Sequence, residues 1–222
     1  MPGKITALQL QQRRRDRVNI FVDGEYAFSL QSILAAELHR GQELSEEDTE
    51  VLRQRDSVEV AYEGTLVYLS FRPRSVREMQ QYLRKKGLND QAADMVLARL
   101  QRVGLVGDGS FAQFWVENRE GSRPRGRRAL RAELRQKGIA ADVIEAAVAH
   151  VDEEASAIKA ASRMASRLAR LGEQTFRRRL LGYLQRRGFS YEIAIRVTHH
   201  LWQELGAQQE ENPGQRALPD DS

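Results

Sequence analysis

The chain has 222 residues, 41% apolar and 30% charged, with no cysteine and a net charge of +4. That is enough apolar material to bury a core, while the missing cysteines exclude disulfides, Cys-ligated metals and a thiol nucleophile. No apolar run approaches the length of a membrane span. Met1-Pro-Gly-Lys4 leads into polar, Arg-rich sequence without a signal-peptide core, so a cytoplasmic protein without membrane association is expected.

In chain order, β structure comes first. Val18-Asn-Ile20-Phe-Val22 and Tyr26-Ala-Phe28-Ser-Leu30 carry β-branched and aromatic residues in near alternation around Asp23-Gly24, a pair that tolerates the positive φ of a tight hairpin. Ile5-Thr-Ala-Leu8 is a candidate third strand, and three strands stand better than a lone hairpin. With a short helix over 32–38, stopped near Gly41, these form an N-terminal β cap spanning 1–44.

Helices follow. Ser45-Glu-Glu-Asp48 is a capping box with Asp in place of Glu or Gln, opening an acidic helix through about residue 54. Residues 58–71 are apolar and β-branched; propensity alone allows a strand, whereas the repeat described below favours a helix. Pro73 biases Arg72 away from helix, and Ser75-Val-Arg-Glu78 is a full capping box that launches a helix ending at Gly87. Asn89-Asp90 caps a helix to about 103, closed by Gly104. In the next stretch Asp108-Gly-Ser110 caps an aromatic-rich helix holding Phe111, Phe114 and Trp115. A basic Gly/Pro loop over 119–126 and helices over 127–137 and 141–151 come after it. The last stretch has a long helix over 152–171 broken at Gly172, a helix capped by Thr175 and running to 187, and one capped by Ser190 and running to about 205. Residues 206–222 have little to bury and are expected to be disordered.

One phrase is written three times: Met79-Gln-Gln-Tyr-Leu83-Arg-Lys-Lys-Gly87, Leu130-Arg-Ala-Glu-Leu134-Arg-Gln-Lys-Gly138 and Leu180-Leu-Gly-Tyr-Leu184-Gln-Arg-Arg-Gly188, the glycines 51 and 50 residues apart. Each has two apolar residues four apart, then basic residues suited to the negative end of a helix, then a glycine suited to the left-handed closing position. Ala92/Val96/Leu100, Val143/Ala147/Val151 and Ile193/Val197/Leu201 then fall on matching stripes. The expectation is a mainly α fold: an elongated array of three three-helix repeats (45–107, 108–151, 152–205) behind the β cap. A continuous hydrophobic seam would run through it, with Met79/Leu83, Leu130/Leu134 and Leu180/Leu184 as core residues. Tyr82 and Tyr183 share one slot of this phrase, so packing is their first explanation.

No catalytic constellation is legible. Gly104-Leu-Val-Gly107-Asp-Gly109 lacks the lysine and preceding strand of a phosphate-binding loop. His199 and His200 are adjacent and cannot jointly face one metal as an i, i+4 pair would. His39 and His150 stand alone, and Glu46, Glu47, Asp48 and Glu50 suit a helix start. No enzyme, metal or cofactor is expected. The cations, by contrast, are clustered: residues 119–137 hold 8 Lys/Arg against Glu120 and Glu133, and residues 163–187 hold 8 Arg against Glu173. Such clusters point to an acidic partner, either nucleic acid or an anionic protein surface.

Arg72-Pro-Arg-Ser75-Val-Arg-Glu78, Leu83-Arg-Lys-Lys-Gly87, Gly104-Leu-Val-Gly107-Asp-Gly-Ser-Phe111-Ala112, Gly126-x3-Leu130-x3-Leu134-x2-Lys137-Gly138-Ile139 and Arg187-Gly-Phe-Ser-Tyr191 resemble the signature stretches of the RecX family, regulators of the RecA recombinase. Gly107 departs from the family pattern, which has an acidic residue before Asp108, and the N-terminal hairpin resembles an extension that only some members carry. The resemblance implies an all-helical repeat protein without enzymatic activity. It implies binding to RecA and to the groove of its filament on single-stranded DNA, limiting filament growth, strand exchange and ATP hydrolysis. A monomer is expected, with direct DNA contact as a further possibility. The candidate contact residues are Arg72, Arg74, Arg84, Lys85 and Lys86 in the first repeat and Arg123, Arg125, Arg127, Arg128, Arg135 and Lys137 in the second. Arg178, Arg179, Arg186 and Arg187 are the candidates in the third. The alternatives are a stand-alone helical nucleic-acid-binding protein and a scaffold for another protein.

Overall fold

The computed structural model describes residues 3–13 and 15–211, with side chains through residue 206. The chain divides between Gly107 and Asp108 into two compact units.

The first unit opens with strands β1 (Gly3–Leu10), β2 (Arg17–Val22) and β3 (Glu25–Gln31). A fourth, β4 (Glu43–Leu44), pairs with β1, giving an antiparallel sheet of order β3-β2-β1-β4. β4 was not anticipated, because two residues carry no periodicity. The β2–β3 hairpin turns through Asp23 and Gly24, both at positive φ (50° and 91°), the geometry that matches strand twist. One face of the sheet buries Ile5, Ile20, Phe28 and Leu30 against Leu34, Leu44 and Leu52. Helix α1 (Ser32–Ala35) is shorter than the expected 32–38, because the N–H groups of residues 36–38 fold back onto the carbonyls of Ser32, Leu34 and Ala35.

Helix α2 (Glu46–Ser70) corrects the expected pair of segments: it is one helix of 25 residues. No Gly or Pro separates residue 54 from residue 58, and the Ser45/Asp48 capping box opens the helix as expected. Asp56, mid-helix, holds the sheet instead of breaking the helix. Its carboxylate accepts from Arg17 at 2.9 Å and from the Gln31 backbone N–H at 2.6 Å. The C-terminal half of α2 leads the first repeat, which α3 (Val76–Lys85) and α4 (Asp90–Arg102) complete.

In the second unit, α5 (Asp108–Ser122), α6 (Arg127–Gln136) and α7 (Ala141–Val148) form one repeat. Helix α8 (Glu153–Leu168), a 3₁₀ turn (Ala169–Leu171), α9 (Glu173–Arg186) and α10 (Tyr191–Glu211) form the other. Several boundaries differ from expectation. Asp108 is the first residue inside α5 rather than its cap, and residues 119–122, read as loop, continue that helix. Thr175 lies inside α9, whose N-cap is Gly172 at φ 75°. Helix α7 stops at Val148, short of 151, and α10 extends past 205; the rest of the expected disordered tail lies outside the described residues.

The core residues Met79, Leu83, Leu130, Leu134, Leu180 and Leu184 are all fully buried. They do not line one seam. The buried apolar side chains fall into separate clusters, one under the sheet and one inside each repeat. Each three-helix unit therefore closes its own core. The stripes of the third helices are also rotated by one position in places. Ala93, Ile144 and Ala194 are the buried residues of the first turn, and Ala92, Val143 and Ile193 sit half-buried at the edge. A helix with 3.6 residues per turn drifts off a strict i+4 ladder, which is why the spacing misassigned them.

Candidate functional site

The thrice-written phrase ends each time in the same hydrogen-bonded structure. Gly87, Gly138 and Gly188 have φ of 88°, 84° and 85°. Their N–H groups reach the carbonyls of Arg84, Arg135 and Gln185, and the next residue's N–H reaches Leu83, Leu134 and Leu184. This is a Schellman closure, and the residue after the glycine turns back onto the core: Ile139 and Phe189 are buried.

One slot of the phrase fastens each repeat's middle helix to its lead helix. Tyr82 donates its hydroxyl to the Gly64 carbonyl and Tyr183 to the Ala160 carbonyl, each at 3.1 Å. In the second repeat the slot holds Glu133, which accepts from Trp115 Nε1 at 2.8 Å and Arg119 Nε at 2.7 Å. The packing explanation for the tyrosines holds.

The cation before each glycine lies over an aromatic ring of its own repeat. Lys86 sits 5.6 Å from Tyr82, Lys137 5.0 Å from Trp115 and Arg187 4.7 Å from Tyr183. In the first repeat Arg74 stacks 3.9 Å above Tyr68, which in turn stacks on Tyr82 at 4.3 Å. Arg72 pairs with Glu78 at 2.9 Å, and that hydrogen bond holds the guanidinium more firmly protonated than usual.

Three candidates, Arg127, Arg128 and Arg187, build the joint between the second and third repeats. The N-terminus of α6 meets the C-terminus of α9: Gly126 N–H donates to the Arg187 carbonyl at 3.0 Å, and Arg128 donates to the Gln185 carbonyl at 2.9 Å. Opposite ends of two helix dipoles face each other there. Arg127 donates its backbone N–H to Glu153 and its guanidinium to the Val151 carbonyl at 2.7 Å. Arg187 reaches the Pro124 carbonyl at 3.3 Å, and Arg125 lies 3.7 Å from Glu133. The sequence offered no sign of this joint, most of whose acceptors are backbone carbonyls far away along the chain.

The remaining candidates are exposed. Lys85, Arg123, Arg135, Arg178, Arg179 and Arg186 point outward with no ion pair or hydrogen bond among the described residues, and Arg84 makes only an exposed pair with Asp90 at 3.0 Å. Arg178 borders a groove of about 510 Å³ between α9 and α10, lined also by Leu181, Tyr191, Ile195 and Thr198. Sequence reasoning passed over these last residues; an apolar i, i+4 pair left outside the core stripe was the available signal. Among the described residues no cluster of His, Asp or Glu is arranged to hold a metal ion. No described helix is long and apolar enough to cross a membrane.

Four family models match in order along the chain. They are the regulatory protein RecX N-terminal domain over residues 3–45 and the RecX first, second and third three-helix domains over 61–100, 108–148 and 152–198. A regulatory protein RecX of Lactobacillus johnsonii is 33% identical over 196 residues, spanning 86% of this chain and 72% of the relative. One from Streptomyces coelicolor is 41% identical over 155 residues, spanning 68% and 82%. A crystal structure of regulatory protein RecX superposes with a TM-score of 0.72 at 25% identity, covering 91% of this chain and 99% of the other. RecX from Lactobacillus salivarius, 22% identical with a TM-score of 0.58, shares the fold. Similarity of that extent, across the sheet and all three repeats alike, means that this chain belongs to the RecX family of regulatory proteins.

Proposed function

We propose that this chain is a non-enzymatic inhibitor of the RecA recombinase. It binds RecA and the groove of the RecA filament on single-stranded DNA, and so limits filament growth, strand exchange and ATP hydrolysis in the cytoplasm. The observation that carries the reading is the ordered match of all four RecX domains, to which the residues add a mechanism. The candidate cations divide into those spent on the fold and those facing outward. The outward set, Arg84, Lys85, Arg123, Arg135, Arg178, Arg179 and Arg186, meets the acidic surface of the filament. Exposed cations of this kind speed encounter with an anionic partner and lose influence as salt rises.

Titrating the chain into RecA hydrolysing ATP on single-stranded DNA tests this: hydrolysis falls with added protein, and unchanged hydrolysis at saturation rejects it. The exposure of Arg178, Arg179 and Arg186 along α9 favours one second reading, direct binding of single-stranded DNA without RecA. Salt-sensitive retention on a bare strand, with about one log-log slope unit lost per phosphate contact and no effect on RecA, selects that reading instead.

A further inference from the structure

The first and third repeats each send an arginine from the third helix across to a glutamate of the lead helix. Arg99 of α4 pairs with Glu59 of α2 at 2.8 Å, and Arg196 of α10 pairs with Glu154 of α8 at 3.3 Å. Arg196 also holds Glu192 on its own helix at 2.7 Å. Counted from the repeat glycines, the second repeat has Ala146 where the third has Arg196, and His150 where the first has Arg99. It keeps Asp142 in the place of Glu192. The second repeat thus retains the carboxylate and supplies no arginine to it.

Ala146 lines a groove of about 650 Å³ between α5 and α7. Val116, Val143 and Ala147 form an apolar floor, and Ala147 is smaller than its third-repeat counterpart Val197. Glu117, Glu120 and Asp142 stand around that floor, with His150 as the remaining ionisable group of the lining. No lysine or arginine lines the groove, although residues 119–137 hold 8 of them. Glu117 accepts from the uncharged Gln113 at 3.2 Å, and Lys159 donates to the Glu120 backbone carbonyl at 2.8 Å, not to its carboxylate. The three carboxylates have no ion pair among the described residues.

The sign of the charge decides the class of occupant. Carboxylates repel a phosphate backbone, which binds where cations gather. Among the described residues no acidic cluster is arranged to hold a metal ion. A long cationic side chain fits both features, with its methylene stem on the apolar floor and its charged head among the carboxylates. Both sister repeats use arginine for the crossing, and the planar guanidinium has donors enough to bond more than one carboxylate oxygen.

We propose that the groove between α5 and α7 receives an arginine side chain of the RecA protomer. That side chain completes from outside the crossing that Arg99 and Arg196 make within their own repeats. The proposal rests on the inhibitor reading above and deepens it, adding an acidic contact to the outward arginines.

The test uses the full chain and the RecA filament on single-stranded DNA. Ala146→Arg, at an exposed position, supplies the arginine from within. It is expected to melt no lower than the parent, yet to need about tenfold more protein for half-inhibition of ATP hydrolysis, because the groove is already filled. Glu117→Gln, Glu120→Gln and Asp142→Asn together are expected to raise that concentration about tenfold as well, the effect of losing hydrogen bonds between charged groups. A chain carrying p-benzoyl-phenylalanine in place of Gln113 is expected to crosslink to the RecA polypeptide on irradiation. Parent-like inhibition by either variant, or the absence of a RecA adduct, overturns the proposal while leaving the inhibitor reading intact. An adduct to the DNA strand or to a second copy of the chain in place of RecA also overturns it. Failure of the parent chain to inhibit overturns both.

Discussion

Gly126 and Gly188 are where backbone meets backbone most closely. A Cβ on Gly126 would lie 2.2 Å from the Gly188 carbonyl oxygen, and one on Gly188 would lie 2.4 Å from Ala129 Cβ. Backbone cannot swing aside as a long side chain can, so Gly126→Ala is expected to cost about 1–3 kcal/mol through overpacking. Gly121, in the last turn of α5, meets nothing within 4 Å, and Gly121→Ala is expected to be neutral or to stabilise by up to about 1 kcal/mol. Urea unfolding midpoints of the two variants compare them directly. A second effect belongs to Arg131 and Glu145, 2.8 Å apart. The hydrogen bond from Arg131 holds the Glu145 carboxyl below its ordinary range. The folded chain therefore binds fewer protons than the unfolded chain as pH passes through that range. The contribution is complete above the ordinary carboxylate pKa and is lost as pH falls through the lowered one. In melting curves against pH, Glu145→Gln is expected to lower the neutral-pH value slightly and flatten the acid-side decline.

Among the elements, helix ends were easier to read than helix starts. Gly87, Gly104, Gly138 and Gly188 all adopt positive φ at the expected places, because a left-handed closing residue has few substitutes for glycine. Starts are chemically looser. Ser45, Ser75 and Asn89 cap as expected, whereas Thr175 is passed over in favour of Gly172, and the loop expected from 119 begins only after Ser122. A polar residue near a helix start marks a neighbourhood, and packing selects the position. The shared slot of the middle helices adds a measurable term: Tyr183→Phe removes the bond to the Ala160 carbonyl and is expected to cost about 0.5–1.5 kcal/mol by chemical denaturation. Leu130→Ala and Leu180→Ala, both at fully buried sites, are each expected to cost about 2–5 kcal/mol. Because their clusters are distinct, the double variant should lose close to the sum.

At the scale of the whole molecule, the arginines serve two purposes that mutation can separate. Arg127→Ala removes a guanidinium bonded to the Val151 carbonyl at the joint of the second and third repeats, and is expected to cost about 1–3 kcal/mol. Combined Arg178→Glu and Arg179→Glu touches exposed side chains and is expected to leave the melting temperature within about 2 °C, a shift of ~0.5 kcal/mol or less. The same pair is expected to weaken inhibition of RecA ATPase about tenfold at low salt, and by less as salt rises. Parallel melting and ATPase measurements on the two variants decide the assignment.

By itself the sequence determined the local grammar: the hairpin at Asp23-Gly24, the three glycine closures, the six fully buried core positions and the clustering of charge. These follow from neighbours within a turn or two, so a one-dimensional reading reaches them. Only the tertiary structure decided that Asp56 ties the sheet to α2, that each repeat closes its own core, and that Arg72, Arg125, Arg127, Arg128 and Arg187 have partners in the fold. The Arg128–Gln185 bond joins residues 57 apart, to a carbonyl every residue possesses, and no residue pattern distinguishes such an acceptor. An exposed arginine and a buried one are the same letter; what differs is the backbone brought beside it.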